Sequence, residues 1–205
     1  MKKLIFIFLA IMSLSCSSCK DAASDVDSSS HVNDVQPPPA SDMHGGSPTP
    51  VTWEECGPGI GDHPCDFSLV DQDGNTFQLY DNYGKVILLD FSAMWCGVCN
   101  IIAPDSQSFT ELYGDQGFIW ATILIDNSQG QPPTDSDIDN WCNQYGIEDS
   151  PVLAGDRSLI DMSGQSGWPI SSWPTLIIID RNMIVIHGIY GWNEELITSW
   201  IEGAL

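Results

Sequence analysis

Apolar and polar positions divide the chain into three zones. The first is an apolar run from Leu4 to Met12, preceded by Lys2 and Lys3 and followed by Ser-Leu-Ser-Cys ending at Cys16. The run is too short for a lasting transmembrane helix. Its positive start and small trailing residues predict a secretory signal over residues 1–15. From Ser17 to Pro50 large apolar residues nearly vanish and Ser, Asp, Pro and Gly take over. Such a stretch buries too little surface to offset ordering, which predicts a disordered tether over 17–50. Its 34 residues span roughly 30 Å as a flexible coil. From Val51 to Leu205 the pattern becomes periodic, and a folded domain is predicted there.

Within that domain the period names the elements. Phe67, Leu69, Phe77 and Leu79 alternate with polar residues around Asp73-Gly74, which predicts a β-hairpin. Asp71, Asp73 and Asn75 also mimic the start of a calcium loop, but the required downstream Glu is absent, so a turn is the reading. "KVILLDFSA" and "GFIWATILID" are continuous apolar runs, the mark of strands buried on both faces. A helix is predicted from Cys96 or Gly97 to Tyr113. Ile138, Trp141, Cys142 and Tyr145 recur at helical spacing over Asp137 to Tyr145. "TLIIID" and "MIVIHGI" read as a strand pair turning at Arg181-Asn182. Asn193 caps a last helix that buries Leu196, Ile197, Trp200 and Ile201. The element order is that of an α/β domain: a sheet covered on both faces, preceded by a hairpin.

The formal charge is -22, from 28 acids against 6 lysines and arginines. Loss of Lys2 and Lys3 with the signal takes it to -24. Nucleic acid is excluded as a partner, since phosphate binding needs clustered cations. Anionic lipid headgroups also repel such a chain, so membrane attachment has to come from a covalent lipid. The acids are scattered and read as a solvated surface. Seven cysteines in an exported chain point to an oxidising compartment.

Cys96 and Cys99 form a C-x-x-C between a buried strand and a helix. A zinc site needs two further ligands, and within the predicted domain neither a second C-x-x-C nor a suitably spaced His pair exists. A cysteine at a helix N-terminus faces unpaired N–H groups and the positive end of the dipole. Both stabilise a thiolate, the reactive form. The second cysteine lies one turn further in, placed to attack a mixed disulfide.

The segment "DFSAMWCGVC" resembles the active-site segment of the thioredoxin superfamily, D-F-W-A-x-W-C-G-P-C. Asp90 stands six residues before Cys96, Pro104 eight after it, and Trp173-Pro174-Thr175 enters a strand, all as in that superfamily. The leading hairpin and the export signal resemble its TlpA/ResA-like extracytoplasmic branch. The resemblance implies a thioredoxin-like fold, a central mixed sheet flanked by helices with an N-terminal hairpin extension, over about Cys65 to Leu205. It implies thiol–disulfide exchange with protein cysteines through a redox-active disulfide and no other cofactor or metal. The implied roles are an exposed nucleophile (Cys96), a resolving thiol (Cys99), a buried proton relay (Asp90) and a cis-proline beside the disulfide (Pro174). The alternatives are a turn-capping role for Asp90 and Pro169 as the cis-proline. Trp95, Gly97, Val98, Trp173 and Thr175 would line the substrate groove. Gly97-Val98 departs from the superfamily's Gly-Pro, so the direction of electron flow does not carry over from the resemblance. The branch itself favours a reductase fed by a membrane electron donor and acting as a monomer.

Cys16, just after the apolar run, resembles the lipidation site of bacterial lipoproteins, although Ser13 replaces the usual aliphatic residue. Plain cleavage and an uncleaved anchor are the alternatives. Ser17 is not the Asp that retains many lipoproteins at the inner membrane, which points to a periplasmic or cell-surface location at the outer membrane. Cys56 and Cys65 enclose a Gly- and Pro-rich loop and read as a structural disulfide, against a metal site with His63 or free thiols. Cys142 reads as buried and inert, against a third redox thiol, and Cys19 has no evident partner. Two other functions share the same residues. One is a Cu(I) carrier using both thiolates with Met94 nearby. The other is a peroxiredoxin-type peroxidase, whose Thr three residues before the cysteine is here Ala93.

Overall fold

A computed structural model of the protein describes residues 52–165 and 167–205. The signal, the tether, Cys16 and Cys19 lie outside the described residues. The chain runs β1 (Ser68–Val70), β2 (Thr76–Gln78), β3 (Val86–Ala93), α1 (Gly97–Tyr113), β4 (Phe118–Asp126) and α2 (Asp135–Tyr145). It continues through β5 (Val152–Ala154), β6 (Thr175–Ile179), β7 (Val185–Tyr190) and α3 (Glu194–Ala204). β1 and β2 form the separate hairpin. The other five strands form one mixed sheet in the order β5-β4-β3-β6-β7. β3, β4 and β5 are parallel; β6 runs antiparallel to β3, and β7 to β6.

β3 is central because every one of its side chains is apolar or small enough to bury, apart from Asp90, and all eight are buried. Alternation along the strands sorts them onto two faces. Ile87, Leu89 and Phe91 face a cluster with Phe77, Leu79, Trp168 and Ile170, so the hairpin and the segment before β6 cover that side. Leu88 and Trp120 face Ile102 and Phe109 of α1 and Ile197 and Ile201 of α3. Leu124 joins Cys99, Ala103 and the α2 residues Ile138 and Trp141 at the β5 side.

Local chemistry moves several boundaries away from the sequence reading. The hairpin pairs Leu69 with Phe77, and Leu79 leaves the strand for a short 3-10 turn, Leu79–Asn82, yet is fully buried. The Asp71 carboxylate accepts the Asp73 and Asn75 N–H groups, and Gly74 has a φ of 78°, so those acids build the turn. α2 begins two residues earlier than its apolar spacing suggests. Thr134 caps it and shares a reciprocal capping box with Asp137. β7 starts at Val185, not Met183, because the Asp180 carboxylate accepts the Asn182 and Ile184 N–H groups and closes a longer turn. The apolar pattern of the sequence does not predict β5. It is three residues long, and the Gln72 side chain serves as its outer partner, accepting the Val152 N–H at 2.8 Å.

Candidate active site

Cys96 occupies the N-cap of α1, with an extended backbone (φ -82°, ψ 118°). Its sulfur accepts the Cys99 N–H at 3.2 Å. It thus takes the place of the hydroxyl or carboxylate that usually satisfies that orphan donor. Despite the acidic composition, the first turn of α1 carries no acid. The helix dipole is therefore uncompensated where a thiolate forms. Cys96 and Cys99 are joined as a disulfide with a Cα–Cα distance of 5.3 Å. Cys99 is fully buried and Cys96 is 7% exposed. This corrects the expected exposure of Cys96: it is the more accessible residue of the pair, yet it is itself buried.

The neighbours of Cys96 form a rim. Trp95 and Val98 are 48% and 42% exposed, and the Trp95 ring meets that of the half-buried Trp173 edge to face at 6.2 Å. Gly97 lies at the start of α1, and a Cβ there would meet nothing within 4 Å. Its smallness keeps the surface open and is not a backbone requirement. The Trp173–Pro174 peptide bond is cis. Thr175 is different from the groove residue expected. It is buried in β6 and its hydroxyl donates to the Ser172 carbonyl, so it supports the turn carrying Pro174.

Asp90 lies beneath α1. It pairs with Thr122 of β4, one pleat beyond the Leu88–Trp120 pair that packs on that helix. Its side chain is buried, accepting the Ser92 hydroxyl at 2.6 Å and the Thr122 hydroxyl at 3.4 Å. Burial without a cation pushes its pKa up to about 6, and these hydroxyls only partly offset the desolvation. The buried Trp120 indole N–H, which lacks a hydrogen-bond partner of good geometry, pulls in the same direction as the hydroxyls.

Four residues that brace the site escaped the sequence reading. The Asn100 amide donates to the carbonyls of Met94 and Cys96, and its oxygen accepts the Tyr145 hydroxyl of α2. The Asp126 carboxylate accepts the Trp95 indole N–H at 3.1 Å and pairs with Arg157. Asp126 ends the "ILID" strand, and a carboxylate after an apolar run level with the cysteine loop was the available signal.

The remaining cysteines are elsewhere. Cys56 and Cys65 form a disulfide with a Cα–Cα distance of 4.8 Å, and His63 stacks on Trp53. Cys142 is free and buried, and burial first, then Asp139 and Asp73, push its thiol up to about 11. Among the described residues no group of three or more His, Cys, Asp or Glu side chains is placed to hold a metal ion.

A disulfide at the N-terminus of a helix, set on this mixed sheet above a buried acid, defines a thioredoxin-like thiol–disulfide oxidoreductase. Residues 60–187 match the AhpC/TSA family, and the chain belongs to it. It is 38% identical over 52 residues to a thioredoxin of Coprinus comatus, a match spanning 25% of this chain and about half (49%) of that protein. Over 146 residues it is 27% identical to the thiol-disulfide oxidoreductase ResA of Bacillus thuringiensis (strain Al Hakam), covering 71% of this chain and 76% of that one. Among solved structures it resembles a putative thiol:disulfide interchange protein DsbE from Chlorobium tepidum. That likeness has a TM-score of 0.56 and 27% identity, and covers 71% of this chain and 97% of that one. The exposed lipoprotein thioredoxin of Streptococcus pneumoniae strain TIGR4 matches with TM-score 0.56 and 27% identity, over 68% and 99% of the two chains.

Proposed function

We propose that the protein is an exported reductase that passes electron pairs from a membrane donor to the disulfides of other proteins. The observation that carries the exchange chemistry is Cys96 at the N-cap of a helix whose first turn holds no acid, one turn from a fully buried Cys99, while the reductase direction rests on the resemblance to the TlpA/ResA-like branch. In the reduced enzyme the Cys96 thiolate attacks a substrate disulfide. A Cys96–substrate S–S bond forms, the substrate S–S bond breaks, and the leaving sulfur takes a proton. Cys99 then loses its proton to Asp90, directly or through water, and its thiolate attacks the Cys96 sulfur. The second substrate thiol leaves, so the substrate gains two electrons and the enzyme returns to the Cys96–Cys99 disulfide. A donor dithiol reduces it again.

Trp173, which packs against the cluster containing Cys96 and Cys99, and Pro174 would offer main-chain hydrogen bonds to a substrate segment. Trp95, Val98 and Trp173 offer that segment an apolar surface, and Gly97 leaves room for it. The relatives named for thiol–disulfide chemistry support the exchange reaction, and the exposed lipoprotein thioredoxin among the structural neighbours supports an extracytoplasmic site. The signal over 1–15, a lipid on Cys16 and the 17–50 tether would hold a monomeric domain near the outer membrane yet free to turn. The test is dithiothreitol-driven insulin reduction by the full chain. Wild type accelerates it and Cys96→Ser does not; equal rates for the two reject the proposal.

A further inference from the structure

The two walls of the disulfide belong to distant parts of the chain, and one ion pair ties them together. Asp126 closes β4. Its carbonyl accepts the Met94 N–H at 2.9 Å. Its carboxylate accepts Trp95 Nε1 at 3.1 Å, Arg157 Nε at 3.0 Å and Arg157 Nη2. The Asp126 side chain is 1% exposed while that of Arg157 is 63% exposed. Arg157 sits on a short 3-10 turn, Arg157–Leu159, in the connection from β5 to β6. That same connection ends at Trp173 and the cis Pro174. So the brace runs from the segment carrying Trp173, through Arg157 and Asp126, to Trp95, whose ring meets Trp173.

The physical effect follows from burial. A carboxylate removed from water needs a charge partner and several donors to stay ionised. The two-pronged guanidinium supplies both. The carboxylate held by the guanidinium also accepts the indole N–H, and this bond selects one orientation for a half-exposed side chain that would otherwise sample several.

We infer that Arg157 is a positioning residue for protein substrates. Acting through Asp126, it holds Trp95 against Trp173 as a rigid apolar wall beside Cys96, and this wall serves recognition of protein disulfides rather than the sulfur exchange itself. The inference rests on the reductase reading above and concerns which disulfides the same site accepts. Without Arg157 the Asp126 carboxylate keeps only the indole as a side-chain donor, draws in water, and releases Trp95.

The experiment compares full-chain wild type, Arg157→Ala, Arg157→Lys, Trp95→Phe and the Arg157→Ala/Trp95→Phe double variant on two substrates, insulin and oxidised glutathione. Loss of an ordered aromatic contact predicts a drop in kcat/KM for insulin of about tenfold in Arg157→Ala, expressed mainly in KM. Lysine, a single point charge, recovers about half of that loss on a logarithmic scale. Oxidised glutathione, too small to use the wall, changes by less than about twofold, and the Cys96–Cys99 midpoint potential stays put. Trp95→Phe shows the insulin loss of Arg157→Ala, and the double variant loses no more than either single one. Unchanged insulin kinetics in Arg157→Ala, or equal losses on both substrates, overturns the inference. Where Arg157→Ala does not fold, Trp95→Phe decides alone, and insulin kinetics like wild type overturn it. A wild type inactive on insulin but active on glutathione rejects the reductase reading instead.

Discussion

Replacing Asp90 by Asn is expected to stabilise the protein at neutral pH. The carboxyl is fully buried and its pKa rises from 3.8 to about 6 on folding, chiefly through desolvation. Between these two values the unfolded chain has lost the proton while the folded chain keeps it. Stability therefore falls as pH rises through that window and is level above it. At about 1.4 kcal/mol per tenfold change, the ionised carboxylate costs the native state about 3 kcal/mol at pH 7. Asn is nearly isosteric and neutral. Its oxygen can accept one of the Ser92 and Thr122 hydroxyls that now donate to Asp90, and its amide can donate to the other. Most of the cost should vanish, which for a domain of this size raises Tm by about 6–12 °C at pH 7. Below pH 4 both proteins carry a neutral group and the difference closes. The assay is thermal melting of the oxidised full chains between pH 3.5 and 8. A variant that melts at or below wild type at pH 7, or that keeps the wild-type fall in stability between pH 4 and 6, refutes the assignment of a buried, uncompensated carboxyl. The same variant should lose the pH dependence near 6 in the step that frees the second substrate thiol.

The other cysteines give simpler tests. Cys99→Ser is expected to trap a mixed disulfide between Cys96 and substrate, visible by mass spectrometry of the unreduced complex; its absence argues against Cys99 as the resolving thiol. Cys142, with its thiol pushed up to about 11, should resist iodoacetamide at pH 8 in the native protein and react on unfolding, and Cys142→Ala should keep activity within about twofold. Rapid native labelling would contradict its burial. Paired Ser substitutions at Cys56 and Cys65 remove a cross-link enclosing a nine-residue separation and should cost about 2–3 kcal/mol, read as a lower denaturation midpoint with insulin reduction retained. Loss of catalysis at full stability would mean that this pair also takes part in exchange.

Much of this architecture was legible because short-range patterns carry it. The apolar runs of β3 and β4 have no polar alternative to burial, and the C-x-x-C lies where a strand meets a helix start. Asp90 stands out as the single acid in the β3 run. What escaped depends on contacts distant in sequence. Asp126 and Arg157 are 31 residues apart, and nothing local distinguishes Arg157 from a solvated surface cation. β5 is too short to show a period and depends on a side chain, Gln72, for its outer partner. The burial of Cys96 comes from the covering segments around Trp95 and Trp173, which no local spacing encodes. Thr175 looked like a groove residue from its place after Pro174, yet the pleat of β6 turns it inward, opposite Phe91 and Tyr190.

The central claim is that Cys96 and Cys99 form a working redox pair. The most direct measurement equilibrates the full chain in graded thiol–disulfide buffers, traps free thiols by alkylation, and follows these two cysteines by mass. The account predicts one reversible two-electron transition, with about 30 mV per tenfold change in buffer ratio and a midpoint on the reducing side near about -270 mV. A midpoint near about -120 mV would reverse the proposed direction of electron flow. A Cys96–Cys99 bond that does not titrate reversibly while Cys56–Cys65 stays closed would contradict the account.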